Sequence, residues 1–255
     1  MNAMAYWDMS DVYLVSYPKS GTTWVCLILA NILKRIRSDA RRIDFFSVHD
    51  YVPDLHANPE RISQLSPPRV IKTHENFDEW YRRIGLRGGE VVLPRVIYLV
   101  RDGREAIVSY YHYVRALHGY RGSFPDFLRD NRMKRDDWGD HVSKWLIHND
   151  VLDKREALLM RYERLRSDTM VEVKRMIDFI GIEASEIILQ EAIKESDITK
   201  IRELEEKYGG GVRYKDRDYR FARKGSQGEI EEGLQREVHM YYKNNLSIFQ
   251  FLGYE

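Results

Sequence analysis

The chain has 255 residues, which suits one large domain or two small ones, and a chain this long buries roughly 75% of its unfolded surface without staples. Its 41 Lys and Arg against 40 Asp and Glu leave a net charge of +1, which argues against a general nucleic-acid binder but leaves local basic patches open. Cys26 is the only cysteine, so an intrachain disulfide is excluded and a reducing compartment fits.

The opening MNAMAYWDMSD lacks a basic stretch followed by an apolar one, so it does not read as a secretory leader. No apolar run reaches the ~18 residues that a spanning helix needs. The expectation is a cytoplasmic protein that binds neither membrane nor nucleic acid.

In chain order, VYLVSY (12–17) reads as a buried strand, and TTWVCLILANILKRI (22–36) as a core-facing helix. RVIKT (69–73) is a second short strand, and RVIYLVR (95–101) is the strongest strand pattern in the chain. DGREAIVSYYHYVRAL (102–117) then predicts a helix, with Asp102 as N-cap and Glu105 closing a capping box. WGDHVSKWLIHN (138–149) is helical in pattern, ALLMRYE (157–163) is a strand, and SDTMVEVKRMIDFIG (167–181) is a helix ended by Gly181. EASEIILQEAIK and QREVHMYYKNNLSIFQFLG supply further helices.

Strands separated by helices predict an α/β fold: a central, mainly parallel sheet with helices on both faces. Residues 208–228, YGGGVRYKDRDYRFARKGSQG, break the alternation and read as a long mobile lid loop within a single domain spanning 1–255.

Three segments point at an anion. YPKSGTTW (17–24) follows the first strand and opens the first helix, where backbone N–H groups and the helix dipole favour negative charge. Gly21 lets the main chain approach closely; Ser20, Thr22 and Thr23 add hydroxyls, Lys19 a charge and Trp24 an aromatic face. It is not the nucleotide loop G-x-x-x-x-G-K-[ST], because Lys19 precedes the only glycine. The plain alternative is a strand–turn–helix corner with a surface lysine.

In the second segment Arg101 ends a strand, and Ser109 lies about two helical turns past Asp102, so a fork and a hydroxyl can clasp one phosphate. Alternatively, Arg101 pairs with a carboxylate and Ser109 bonds back to a carbonyl. The third segment, Arg223, Lys224 and Gly225, is either a lid that closes over a phosphate or a solvated basic loop.

Together these motifs resemble the cytosolic sulfotransferase family, which uses 3′-phosphoadenosine 5′-phosphosulfate. YPKSGTTW resembles its 5′-phosphosulfate loop, RDGREAIVSYYH its 3′-phosphate motif, and RKGSQGE its C-terminal R-K-G-x-x-G-[DE] signature. IKTH (71–74) resembles the segment carrying the catalytic histidine, and LMRYERL (159–165) the stretch whose tyrosine contacts adenine. The likeness runs in order from about residue 12 to the C-terminus.

The resemblance implies a P-loop-like domain and a role for each matched residue. Lys19, Ser20, Gly21, Thr22 and Thr23 would hold the 5′-phosphosulfate, Trp24 would stack on adenine, and Tyr162 would touch the base. Arg101, Ser109, Arg223, Lys224 and Gly225 would hold the 3′-phosphate, and Ser196 would contact the base or the 3′ side. His74 would be the general base with Lys72 beside it, and the bisphosphate would be the product.

Two departures stand out. Ile230 sits where the family usually has tryptophan, and the family's dimerisation motif K-x-x-x-T-V is not visible in EIEEGLQREVHM. The chain is also short for the animal enzymes, which points to a compact bacterial relative acting on small molecules.

The chemistry suits these residues. By analogy with phosphoryl transfer, sulfuryl transfer should pass through a loose, in-line transition state, so positioning and charge stabilisation supply most of the catalysis. Lys19 would stabilise the leaving phosphate. No metal is expected, since no Mg²⁺-binding acid accompanies the loop. His74 follows a strand, at the sheet edge where ligands of open α/β sheets bind, and a histidine suits proton abstraction near neutral pH.

The acceptor is expected to be a small hydroxylated molecule. Tyr51, Phe77, Trp80, Tyr81 and Tyr111 can line a cleft for a flat acceptor or simply pack in the core; His49 and Asp50 are candidate polar readers. Competing readings are a kinase-like P-loop enzyme, a non-catalytic binder of adenosine bisphosphate or RNA ends, and the same chemistry on a carbohydrate or peptide.

Overall fold

The computed structural model describes residues 8, 10–84, 86–87, 90–91, 94–130, 132–134, 136–149, 152, 157–209, 214–216, 219–220, 230 and 232–254. Its strands are β1 (Val12–Ser16), β2 (Val70–Thr73), the two-residue β3 (Leu86–Arg87) and β4 (Glu90–Val91), β5 (Arg95–Val100) and β6 (Ala157–Arg161). Its helices are α1 (Thr22–Ile36), α2 (Phe77–Ile84), α3 (Gly103–His118), α4 (Phe124–Arg129), α5 (Trp138–Val142), α6 (Tyr162–Ser167), α7 (Thr169–Ile180), α8 (Glu186–Glu195), α9 (Ile198–Tyr208), α10 (Gln235–Tyr242) and α11 (Leu246–Leu252).

β2, β1, β5 and β6 form one sheet in that order, and every pairing is parallel. Strand alternation builds two cores from it. Val12, Leu14, Ile97, Leu99 and Met160 point to one face, under α1, α7, α8 and α9. Tyr13, Val15, Val96, Tyr98 and Val100 point to the other, under α2, α3, α5, α10 and α11. The expected three-layer α/β architecture is therefore present.

The order has a consequence for function. From β1 the chain steps to β2 on one side, then returns past β1 to β5 and β6 on the other. Ligands of open parallel sheets bind outside the strand carboxyl ends at such a reversal. The turn after β1, His74 after β2 and Arg101 after β5 all leave the sheet there.

Three local readings are corrected. The strand expected over 157–163 stops at Arg161, because the chain turns helical at Tyr162; Asp168, at φ −141° and ψ 52°, then separates this α6 from α7, the helix expected over 167–181 and ended by Gly181. The capping box on α3 is not formed. Asp102 does cap, accepting from the Arg104 N–H at 2.8 Å, but its own N–H donates to the Glu163 carboxylate at 3.0 Å. Glu105 instead takes the Arg101 guanidinium, a charge-assisted partner that outcompetes a backbone amide. Lastly, only the first part of 138–149 is α-helical, since Ser143–Ile147 widens into a π turn.

A buried ion pair locks the start of the sheet. Arg69 donates to Asp11 through Nε at 2.8 Å and Nη2 at 2.6 Å, and through Nη1 to the Ile62 carbonyl at 2.9 Å. The edge of the sheet is extended by residues 53–55: Lys72 N–H donates to the Pro53 carbonyl, and Leu55 N–H to the Lys72 carbonyl, each at 2.9 Å. That extension carries Asp54 alongside Lys72.

Candidate active site

The turn after β1 is built to leave donors unspent. Lys19 sits at φ +69° and Gly21 at φ +96°, the left-handed region that costs a residue with a Cβ about 1–2 kcal/mol. Strain of this kind collects at ligand clamps. Gly21 is required twice over, because a Cβ there would lie 2.5 Å and 2.8 Å from Tyr162 ring carbons. α1 starts with no side-chain cap and no acid in its first turn, so its first N–H groups keep their pull on an anion. The Ser20 hydroxyl is buried with no hydrogen-bond partner among the described residues. Thr22 shares a 2.6 Å hydrogen bond with Ser16, which ties the helix start to the end of β1.

His74 leaves β2 with its ring against the same strand end. Its Nδ1 lies 2.8 Å from the Ser16 carbonyl, an atom that can only accept. Nδ1 therefore carries the proton, and Nε2 keeps a lone pair. Burial holds the His74 pKa well below the usual histidine value, and the Lys72 charge pushes it the same way. Lys72 is paired with Asp54 at 2.5 Å, and burial of that carboxyl is outweighed by the lysine and by the N–H groups of His56 and Ala57, so Asp54 stays ionised.

Arg101, at the end of β5, donates to Glu105 at 2.8 Å and 3.1 Å and to the Lys19 carbonyl at 3.1 Å. Its guanidinium also lies 4.5 Å from the centre of the Tyr162 ring. The fork therefore touches both the β1 turn and α6. Ser109 lies on α3 and lines the cavity with Arg101, and its hydroxyl has no partner among the described residues. Trp24 and Tyr162 stand edge to face, 6.2 Å between centres. Ser196 orients that pair: its carbonyl accepts from Trp24 Nε1 at 2.9 Å, while its buried hydroxyl accepts from Asn31 at 3.1 Å.

A cavity of about 920 Å³ joins these parts. Lys19, Gly21, Thr22, Thr23, Trp24, Lys72, His74, Arg101, Ser109 and Tyr162 all line it. Ser20 and Ser196 stand behind the wall. Arg223, Lys224 and Gly225 lie outside the described residues. Lys215, in the same stretch, donates its N–H to the Ala116 carbonyl of α3 at 2.8 Å.

The aromatic residues expected at the acceptor do not line this cavity. Phe77, Trp80 and Tyr111 are buried in the core under α2 and α3, and Tyr81 packs against it. Tyr51 is buried on the opposite face, its hydroxyl donating to Asp39 at 2.5 Å. His49 is turned to the Val52 carbonyl, and Asp50 to Arg41 and Arg61.

Several lining residues were not singled out in the sequence: Asp54, His56, Tyr110, Tyr113 and Arg166. The four-residue spacing of Tyr162 and Arg166 was the available signal for Arg166. Asp54 and His56 gave none, since an edge extension next to β2 has no strand pattern of its own.

No group of three or more metal-ligating side chains occurs among the described residues. No described helix is long and apolar enough to cross a membrane. The sulfotransferase domain model matches residues 9–249. The chain belongs to the sulfotransferase family. It is an enzyme that moves a sulfuryl group from 3′-phosphoadenosine 5′-phosphosulfate.

Among its relatives, this sulfotransferase is 29% identical to Sulfotransferase 1E1 of Cavia porcellus over 224 residues, covering 77% of this chain and 70% of that one. It is 28% identical to Sulfotransferase 4A1 of Mus musculus over 193 residues, covering 72% of this chain and 64% of that one. In fold it is similar to retinol dehydratase solved with androsterone and the inactive cofactor PAP, at a TM-score of 0.68 and 20% identity over 96% of this chain and 83% of that chain. It is also similar to mouse sulfotransferase SULT7A1 solved with PAP, at 0.62 and 21% over 95% and 87%.

Proposed function

We propose that the sulfotransferase transfers the sulfuryl group in line to a hydroxyl of a small molecule, with His74 as general base and Lys19 stabilising the leaving phosphate. The observation that carries this reading is the His74 hydrogen bond: with Nδ1 2.8 Å from the Ser16 carbonyl, Nε2 is left with its lone pair, and His74 lines the cavity that Lys19 and the start of α1 also line. The residues fit the donor. The orphaned Ser20 hydroxyl, the uncapped start of α1 and the Cβ-free cradle at Gly21 suit its 5′ anion. Arg101 and Ser109 suit the 3′-phosphate, with Arg101 exchanging Glu105 for the phosphate. Trp24 and Tyr162 suit the flat base. Retinol dehydratase, similar in fold, is solved in complex with PAP and androsterone and in complex with PAP and retinol, which supports this reading.

In the reaction His74 Nε2 takes the acceptor's hydroxyl proton as the acceptor oxygen bonds to sulfur. The bond from sulfur to the bridging oxygen breaks, and its electron pair stays on that oxygen. Lys19 and the first N–H groups of α1 meet the charge that develops there. Burial, seconded by the Lys72 charge, keeps His74 neutral, and Asp54 holds Lys72 beside it. Neither step draws on a metal. The test is transfer of ³⁵S from labelled donor to a panel of phenols and alcohols in excess chelator. Product should form at an unchanged rate with chelator; a rate that vanishes with chelator and returns with Mg²⁺ overturns the metal-free reading.

A further inference from the structure

The cavity holds a cation that none of the assigned roles uses. Arg166 lies four residues past Tyr162 on α6, hence on the same helix face and about 6 Å further along the axis. It lines the cavity, and its Nη1 is buried with no hydrogen-bond partner among the described residues. No described carboxylate pairs with it, although Asp197 lines the same cavity and spends one oxygen on capping α9, at 2.7 Å from the Thr199 N–H. A buried donor left unmade is costly, so such a group is retained where a ligand satisfies it.

The surroundings say what kind of ligand. The cavity wall that Arg166 shares also carries Trp24, Tyr162, Thr169, Ile193, Ile198 and Ile201, and Arg166 stands about one helical turn past Tyr162. Two aromatic rings and three isoleucines suit a flat, uncharged heterocycle and not a dianion. The phosphate-type donors are separate groups on other elements: Arg101, at the end of β5 and 4.5 Å from the centre of the Tyr162 ring, and Ser109 on α3. A guanidinium is weakly hydrated and presents in-plane N–H groups, so it suits the ring-nitrogen edge of a purine.

Resting on the reading that the cavity takes the adenosine donor, we propose that Arg166 is a specificity residue that donates a hydrogen bond from Nη1 to a ring nitrogen of the donor's purine. It reads the base, whereas Arg101 and Ser109 read the 3′-phosphate.

Calorimetry with two probes tests this: adenosine 3′,5′-bisphosphate, and ribose 3,5-bisphosphate, which lacks the base. Arg166→Met should weaken the adenosine compound roughly tenfold to hundredfold, the worth of one hydrogen bond from a charged donor. It should leave the ribose compound within about twofold and the apoprotein's melting temperature unchanged or raised, because the orphaned group is gone. Arg166→Gln, which keeps an N–H without the charge, should retain part of the discrimination. Equal weakening of both probes would assign Arg166 to phosphate and overturn the proposal. So would no weakening of either, or a lowered melting temperature with unaltered affinity. Failure of the wild-type protein to bind either probe would instead remove the donor reading on which the inference rests.

Discussion

Replacing Gly21 with alanine tests the architecture of the proposed donor site at a point of close approach. The methyl group would sit 2.5 Å from Tyr162 Cδ2, and ordinary contact begins at 3.4 Å, so the ring must retreat by about 0.9 Å. Tyr162 cannot retreat alone, since its ring lies against the Arg101 guanidinium and the Trp24 indole. A displacement near 1 Å in a positioned site costs on the order of 100-fold in rate. The backbone adds its own term: an alanine at φ +96° costs about 1–2 kcal/mol, or roughly 2–8 °C of melting temperature in a domain of this size. Steady-state kinetics with varied donor should show a ~100-fold fall in kcat/KM. In a Tyr162→Ala background the same glycine change meets no ring, and should cost less than about tenfold more, the backbone contribution alone. Native kcat/KM for Gly21→Ala in the otherwise native protein would refute the reasoning.

Three further outcomes follow from the same geometry. Arg101→Ala should weaken adenosine 3′,5′-bisphosphate by tenfold or more in calorimetry while leaving adenosine 5′-monophosphate, which lacks the 3′ group, little changed; equal losses would remove the 3′-phosphate role. Burial and the Lys72 charge hold His74 well below about 6.5, the value it has in the unfolded chain, so the acid limb of the kcat/KM profile should fall below that pH. The same depression means that the unfolded state binds the extra proton first, so His74's contribution to stability should decline as pH falls through about 6.5; denaturant midpoints that rise on acidification would contradict it. Asp11→Ala strands the buried Arg69 guanidinium, and thermal unfolding should show a loss of about 3–5 kcal/mol, roughly 10 °C, against a shift under 2 °C if the pair were idle.

The sheet and the cluster of residues around the turn after β1 were legible because their signals are local. β1 and β5 are continuous apolar runs, and the buried register of a parallel sheet permits little else. The turn 17–24 carries its chemistry in adjacent residues, so quoting the sequence already places Lys19, Gly21 and Thr22 together. Which aromatic residues line the cavity was not legible for a physical reason. Aromatic residues near His74 in sequence have two uses, packing and binding, and hydropathy does not separate them; Phe77 and Trp80 went into the core with Trp145. Asp54 reached the cavity by a parallel pairing across 18 residues of separation, which no local pattern reports. Arg101 shows a third case. Its carboxylate alternative is present, as the pair with Glu105, and under the proposed function that pair is what the 3′-phosphate would have to displace.

Single-turnover transfer from preloaded ³⁵S donor, compared between wild type and His74→Ala, addresses the central claim most directly. The variant should bind adenosine 3′,5′-bisphosphate within about twofold of wild type, yet transfer label at least about 100-fold more slowly, the usual worth of a positioned base. Transfer at the wild-type rate, with donor affinity intact, would contradict the assignment of His74 and with it the mechanism built on the Ser16 carbonyl.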